Sequence, residues 1–533
     1  MSEAVRDFYE SIARNRDVTS SVRALSGLRP GVLDAASFRI LEVDRIFDAI
    51  NGCHTRAGQA TLYHSLAYPS VSTEAIRSRH EALRELESNA ALRERLQQFV
   101  RAAAIREQPF YELLFGSFMG FLGATPNKME YEGYGYTAYK RGTRFMLELA
   151  REARHLPTPE SPYLAARVDA IRGYEATAAH ALMRGPVYLT ERGLKLGREK
   201  RRYSPAIRFR PSLFKPLLLG AAAIGYFMLT SPWLAAYIAT PANPVLMVSL
   251  LPLLAFYVPA VGGFDRDSFI YPLRDRYREA EETQNTLGAL GAIDELLAFH
   301  QYAGGFGSAM VLPRILDAGR HRLALKQVRN PVLAKSNPAY VANDIDLGAA
   351  RLGFVTGPNS GGKTAFCKTL AQVQLLAQIG CYVPAADAEM AVADRIYYQT
   401  PETGSLADLE GRFGTELQRT KEIFLATTPR SLVILDEMAE GTTYEEKLTI
   451  SHAILNGFRR IGNTTILITH NHELVERFRK DRIGLYRQVD FNHEAPTYRL
   501  IDGISKVSHA DRVARKLGFA REDIEQYLTA RGF

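Results

Sequence analysis

The chain holds 533 residues, with 66 Lys and Arg against 58 Asp and Glu, a formal net charge of +8 and a hydrophobic share of 46%. That share excludes a chain dominated by disorder, and the length suits two or three domains of roughly 100–200 residues each. The scattered cysteines Cys53, Cys367 and Cys381 exclude a disulfide framework and a Cys-x-x-Cys zinc pattern, and fit a reduced, cytosolic setting.

The N-terminal stretch MSEAVRDFYESIARNRD is charged and lacks the apolar core of a secretory signal. Helical spacing follows. Ile76, Leu83 and Leu86 form one apolar stripe, and Leu92, Leu96, Phe99 and Val100 fall at i, i+4, i+7 and i+8 of a second charged helix. From Pro216 to Phe264 no side chain is charged, and Thr240-Pro241-Ala242-Asn243-Pro244 divides the stretch. Leu217 to Ala239 would be about 35 Å long as a helix, enough to cross about 30 Å of hydrocarbon. Val245 to Val261 is shorter and contains Pro252 and Pro259, so it is either a kinked crossing or a re-entrant helix.

The excess of basic residues favours nucleic acid or an anionic membrane surface as partner. Much of it, however, flanks this apolar run: Arg198, Lys200, Arg201, Arg202, Arg208, Arg210 and Lys215 on one side, Arg266, Arg274, Arg276 and Arg278 on the other. By the positive-inside rule both flanks then face the cytosol, and the expectation is a transmembrane hairpin over 217–261 rather than a buried helical hairpin. After it, Leu290, Ile293 and Leu297 resume helical spacing.

From about Val328 short apolar strands alternate with helices, as in Leu352-Gly353-Phe354-Val355, Leu432-Val433-Ile434-Leu435 and Thr465-Ile466-Leu467-Ile468. Such runs suit a parallel sheet covered on both faces. Directly after the first comes Gly357-Pro358-Asn359-Ser360-Gly361-Gly362-Lys363-Thr364, which satisfies G-x-x-x-x-G-K-[ST] in the strand-loop-helix context the motif requires. Glycines let the backbone N–H groups curl around phosphate oxygens, and the following helix adds its positive end. The expectation is ATP and Mg²⁺, with Lys363 on the β- and γ-phosphates and the Thr364 hydroxyl on the metal. Asp436-Glu437, at the end of the second strand, completes the site, Asp436 holding Mg²⁺ and Glu437 acting as base toward the attacking water. The third strand ends in Thr469-His470. His470 either contacts the γ-phosphate or the water, or is a satisfied strand-end histidine.

The motifs resemble those of the MutS family of mismatch-repair ATPases. Thr356-Gly357-Pro358-Asn359 with Gly361-Gly362-Lys363 is similar to the family's TGPN-x-GGK[ST] loop, Gly380-Cys381-Tyr382-Val383-Pro384-Ala385 to its G-x-[YF]-VPA turn, and Asp394-Arg395-Ile396 to its DRI strand. Asp436-Glu437 running into Gly441-Thr442-Thr443 resembles DE-x-x-x-GT[ST], and Thr469-His470-Asn471-His472-Glu473-Leu474 resembles TH-x-x-EL. Tyr340-Val341-Ala342-Asn343 looks like the [FY]-[VI]-x-N segment, which implies that Tyr340 stacks on adenine; the alternative is an ordinary core tyrosine. Cys53-His54-Thr55-Arg56-Ala57-Gly58, with Leu66, Pro69, Ile76 and Arg79, resembles the family's core domain.

The resemblance implies an all-α core and lever region followed by an α/β P-loop domain, and the apolar run adds a transmembrane hairpin in place of the family's clamp, a mixed fold. The implied division is a helical core over 1–110, a lever-like segment over 111–210, the apolar hairpin over 211–264, a returning lever over 265–325, and an ATPase domain with C-terminal dimerisation helices over 326–533. Three departures accompany it. Few residues precede the core, so no mismatch-reading domain is expected, and Phe8-Tyr9-Glu10 and Phe110-Tyr111-Glu112 match the Phe-x-Glu wedge by letter alone. The S-x-F-x-x-E segment that reaches a partner protomer's nucleotide appears as Gly411-Arg412-Phe413-Gly414-Thr415-Glu416, with Arg412 either a phosphate-facing cation or a solvent-facing one. No Smr-like nuclease tail is expected.

The expected function is a homodimeric, ATP-driven conformational switch, cytosolic but membrane-anchored, with DNA binding and repair as the implied role. The alternative is a membrane-tethered motor or scaffold acting on proteins or lipids.

Overall fold

The computed structural model describes residues 31–120, 132–199, 226, 230, 260–358, 361–401, 411–438, 443–492, 495–505 and 517–531. The chain divides into two compact units, one of which includes Cys53–Thr61 and Asn89–Glu295, and the other Arg23–Gly52, Leu62–Ser88 and Leu296–Phe533.

Among the described residues the first unit is helical apart from a short hairpin, Tyr188–Thr190 against Gly193–Lys195. Its helix Ala90–Arg106 is capped by Asn89, whose side chain accepts from Leu92 N, and it buries the predicted stripe of Leu92, Leu96, Phe99 and Val100. Gln108–Phe115 buries Phe110 and Tyr111. Tyr136–Ala153 crosses it so closely that a Cβ on Gly142 would lie 2.9 Å from Phe110 Cα. Two carboxyls sit at the start of helix Arg56–Ala67. Asp294 accepts from His54 N (3.2 Å), Thr55 N (2.7 Å) and Thr55 Oγ1 (2.7 Å), and Glu107 accepts from Arg56 N (2.7 Å). These are first-turn donors with no partner inside the helix, which explains why carboxyls occupy the place. Burial raises the pKa of both acids, Glu107 to about 8.

In the second unit the strands are β1 (Arg314–Leu316), β2 (Leu323–Val328), β3 (Asn343–Asp346), β4 (Leu352–Thr356), β5 (Asp387–Ala391), β6 (Ile396–Gln399), β7 (Leu432–Asp436), β8 (Thr464–Ile468), β9 (Leu485–Asn492) and β10 (Ala495–Asp502). The helices that matter to the site are α1 (Lys363–Gln378), α2 (Gly411–Ala426), α3 (Tyr444–Ile461) and α4 (His472–Lys480), with α5 (Arg521–Ala530) near the end of the chain. One sheet has the order β10-β9-β4-β8-β7-β6, the other β1-β5-β2-β3. In the larger sheet every neighbouring pair is parallel except β9 with β10. The three apolar runs expected as strands are β4, β7 and β8, which lie side by side in the order β4-β8-β7. All residues of β4 and β8 are buried, which is why they read as unbroken apolar or β-branched runs. Leu352, Phe354, Val433, Leu435 and Leu467 pack with Phe458 and Phe478 in one core cluster, where each fully buried side chain contributes roughly 1.5–3 kcal/mol.

The transmembrane hairpin, and with it the fold class as expected, is corrected. No helix among the described residues is long and apolar enough to cross a membrane. Nearly all of the 217–261 run lies outside the described residues. The membrane-anchored localisation, inferred from the same run and its basic flanks, is corrected with it.

Candidate nucleotide site

Parallel strands bring their C-terminal ends to one edge of a sheet, and ligands of such sheets bind there. Here β4 ends at the glycine-rich loop, β7 at Asp436-Glu437 and β8 just before Thr469-His470. Residues far apart in the chain therefore converge.

The loop leaves β4 through Gly357 and enters α1 through Gly362, whose φ of 81° is a left-handed cap that glycine adopts without strain. A Cβ on Gly361 would stand 2.7 and 2.8 Å from the two methyls of Val489 on β9, so the loop lies directly on that strand. Asn359 and Ser360 lie outside the described residues. Lys363 is only 2% exposed. Its Nζ donates to the carbonyls of Gly357 (2.6 Å) and Pro358 (2.9 Å). Burial pulls its pKa down, while Glu437 and Asp436 oppose the shift.

Thr364 Oγ1 donates to Asp436 Oδ2 at 2.8 Å, joining the first turn of α1 to the end of β7. Glu437 has a φ of 64°, uncommon for a residue with a side chain, and its N–H donates to Ile468 O (2.9 Å). Its Oε1 lies 3.5 Å from His470 Nε2, and that nitrogen lies 3.5 Å from Lys363 Nζ. One ammonium, two carboxylates, a hydroxyl and an imidazole thus surround the mouth of the loop, a set able to bind a polyphosphate and to accept a proton beside it.

Tyr340 is half-buried with its hydroxyl 3.5 Å from Thr369 Oγ1 on α1, and burial raises its pKa. Asn343 ties β3 to β10, donating from Nδ2 to Tyr498 O (3.0 Å) and accepting Leu500 N at Oδ1 (2.7 Å). Both residues line a pocket of about 680 Å³ together with Arg329, Arg487 and Arg499. Gly411 opens α2, and the side chain of Arg412 lies outside the described residues. Glu416 is 4% exposed, and its carbonyl accepts from Gln399 Nε2 (3.3 Å) and Thr420 Oγ1 (2.9 Å).

Two residues of this neighbourhood escaped the sequence reading: Val489 underlies Gly361, and Tyr498 lies 3.2 Å from the position of a Gly362 Cβ. Thr469 was named at its strand end, but not its contact with Glu437. Val489 and Tyr498 carry no local signal, since each meets the loop only because β9 and β10 pair beside β4.

Residues 353–527 match the family model for MutS domain V. The chain is 33% identical over 217 residues to the DNA mismatch repair protein MutS of Chloroflexus aurantiacus, covering 40% of this chain and 22% of that protein. It is 32% identical over 262 residues to the DNA mismatch repair protein MutS of Chlorobaculum tepidum, covering 46% and 29%. To the DNA mismatch repair protein MSH3 of Kluyveromyces lactis it is 32% identical over 213 residues, covering 39% and 20%. The chain therefore spans less than a third of the length of these relatives. The similarity supports a MutS-type ATPase domain in the C-terminal part of the chain.

Proposed function

We propose that this chain is a MutS-like ATPase that binds ATP with Mg²⁺ at the loop between β4 and α1, hydrolyses it, and serves as a dimeric, ATP-driven switch in DNA repair. The observation that carries the proposal is the convergence of Lys363, Thr364, Asp436, Glu437 and His470 at one sheet edge. The residues fit the group: the loop has no room for a Cβ at Gly361, and the Thr364 and Asp436 oxygens are near enough to share one small hard cation. Those two residues would hold Mg²⁺, which when bound neutralises charge on the β- and γ-phosphates.

In this reading Lys363 exchanges its two carbonyl partners for phosphate oxygens and stabilises charge that grows in the transition state. A water oxygen attacks the γ-phosphorus while the bond to the β–γ bridging oxygen breaks. The water's proton passes to the Glu437 carboxylate, giving ADP and inorganic phosphate. His470, set between Lys363 and Glu437, reports the state of the terminal phosphate. Tyr340, which lines the adjoining pocket, and Tyr498, beside Gly362, offer aromatic faces for the base.

Lys363→Ala should weaken nucleotide binding, and Glu437→Ala should retain ATP while losing turnover by about 10²-fold or more. Normal hydrolysis by the second variant would remove Glu437 from the role of base.

The dimer is supported by α5, which buries none of its residues and leaves Tyr527 57% and Leu528 40% exposed. Gly411 and Arg412 are then the candidate contacts to the partner protomer's nucleotide, while Glu416, 4% exposed, is buried in its own protomer. The DNA role rests on the relatives' names and the basic charge. Duplex binding that weakens steeply with salt is the expected result, and no binding at low salt would refute it.

A further inference from the structure

The proposed base, Glu437, is held in an unusual way. Its backbone is left-handed, its N–H is bound to the carbonyl of Ile468, and the next residue of that strand end, Thr469, reaches its side chain. Thr469 is 2% exposed, and its N–H donates to Val355 O (3.2 Å), which fixes it to the end of β4. Its hydroxyl lies 3.4 Å from Glu437 Oε2 and 3.0 Å from Asn471 N.

A hydroxyl has one proton, and the polarity of this contact follows from that. The Asn471 N–H can only donate, so the Thr469 oxygen accepts from it. Among the described residues the acceptor facing the hydroxyl's own proton is Glu437 Oε2. Asn471 is itself anchored, its Oδ1 accepting Leu474 N (3.0 Å) as the cap of α4. The donor is therefore aimed at Oε2 by a chain of bonds running back into α4. Glu437 Oε1 is the oxygen on the side of His470 and Lys363.

We infer that Thr469 is a positioning residue for hydrolysis: by donating to Oε2 it sets the rotation of the Glu437 carboxylate and presents Oε1 to the attacking water. The inference rests on the reading of Glu437 as base. The cost of letting that carboxylate rotate falls on turnover, because a displacement of about 1 Å in a reacting group costs on the order of 10²-fold.

The test is a reciprocal pair, Thr469→Val and Thr469→Ser, measured for affinity toward a fluorescent ATP analogue and for steady-state kcat, beside Glu437→Gln and the double variant Glu437→Gln/Thr469→Val. Valine keeps the branched shape and loses the hydroxyl; serine does the reverse. Thr469→Val should bind nucleotide within about threefold of the parent and lose kcat by about 10- to 100-fold. Thr469→Ser should keep kcat within about threefold, and the double variant should turn over no more slowly than Glu437→Gln alone. An active Thr469→Val beside an inactive Glu437→Gln overturns the inference and leaves the base assignment standing. So does a loss in the serine variant greater than in the valine variant, since shape would then be what matters. An active Glu437→Gln overturns the base assignment itself, and the inference with it.

Discussion

Gly361→Ala tests the seating of the nucleotide loop most directly. The new Cβ would meet the two Val489 methyls at 2.7 and 2.8 Å, where carbon atoms prefer about 3.5–4.0 Å, so something must move by about 1 Å. Val489 cannot readily give way. It is 3% exposed and pairs with Leu500, while the preceding Gln488 pairs with Thr356 at the base of the loop. The loop is the part that shifts. Overpacking of this kind costs about 1–3 kcal/mol, and if the cost falls on the nucleotide-bound loop it weakens ATP affinity by about 10- to 100-fold. The assay is a titration with a fluorescent ATP analogue, repeated in the double variant Gly361→Ala/Val489→Ala. The second change removes both clashing methyls and leaves only Val489 Cβ, 3.1 Å away, so most of the affinity should return. Parental affinity in the single variant, or no recovery in the double, would refute the reasoning.

Burial raises the Glu107 carboxyl from 4.5 to about 8, so the neutral form favours the fold; its contribution is complete below about pH 4.5 and is lost as pH rises through about 8. Chemical denaturation should find the parent roughly 2–3 kcal/mol less stable at pH 9 than at pH 6 from this group, and Glu107→Gln should flatten the difference; an equal pH slope in the two proteins would argue against it. Gly58→Ala would set a Cβ 2.2 Å from Asp294 Oδ2, the oxygen that both Thr55 groups bond. A loss of about 3 kcal/mol or more by urea unfolding is expected, and a loss under 1 kcal/mol would show that the contact relaxes. Tyr498→Ala should weaken ATP binding by about tenfold, the scale of one base–aromatic stack, while leaving inorganic tripolyphosphate unaffected. Equal losses for the two ligands would mean that Tyr498 shapes the loop and does not meet the base.

The parts of the site that were legible were those whose chemistry is local. A loop that must curl around phosphates needs its glycines and lysine within a few residues, so Gly357 to Thr364 could be read directly. The strand ends Asp436-Glu437 and Thr469-His470 were legible too, because an apolar strand closing on polar residues marks the edge of a buried sheet. The apolar run over 217–261 was read from hydropathy, which counts charges and apolar atoms, while no helix among the described residues is long and apolar enough to cross a membrane.

By itself the amino-acid sequence determined where a triphosphate loop can form, which strands are buried on both faces, and which helices carry an apolar stripe. These follow from backbone periodicity and from chemistry confined to neighbouring residues. Only the tertiary structure decided that Val489 would lie under Gly361, that Asn343 would bind β10, that Asp294 and Glu107 would sit at the start of helix Arg56–Ala67, and that Thr469 would meet Glu437. Each of these pairs depends on strand order or helix crossing, and a contact made by two segments packing side by side leaves no mark on the residues adjacent to either one.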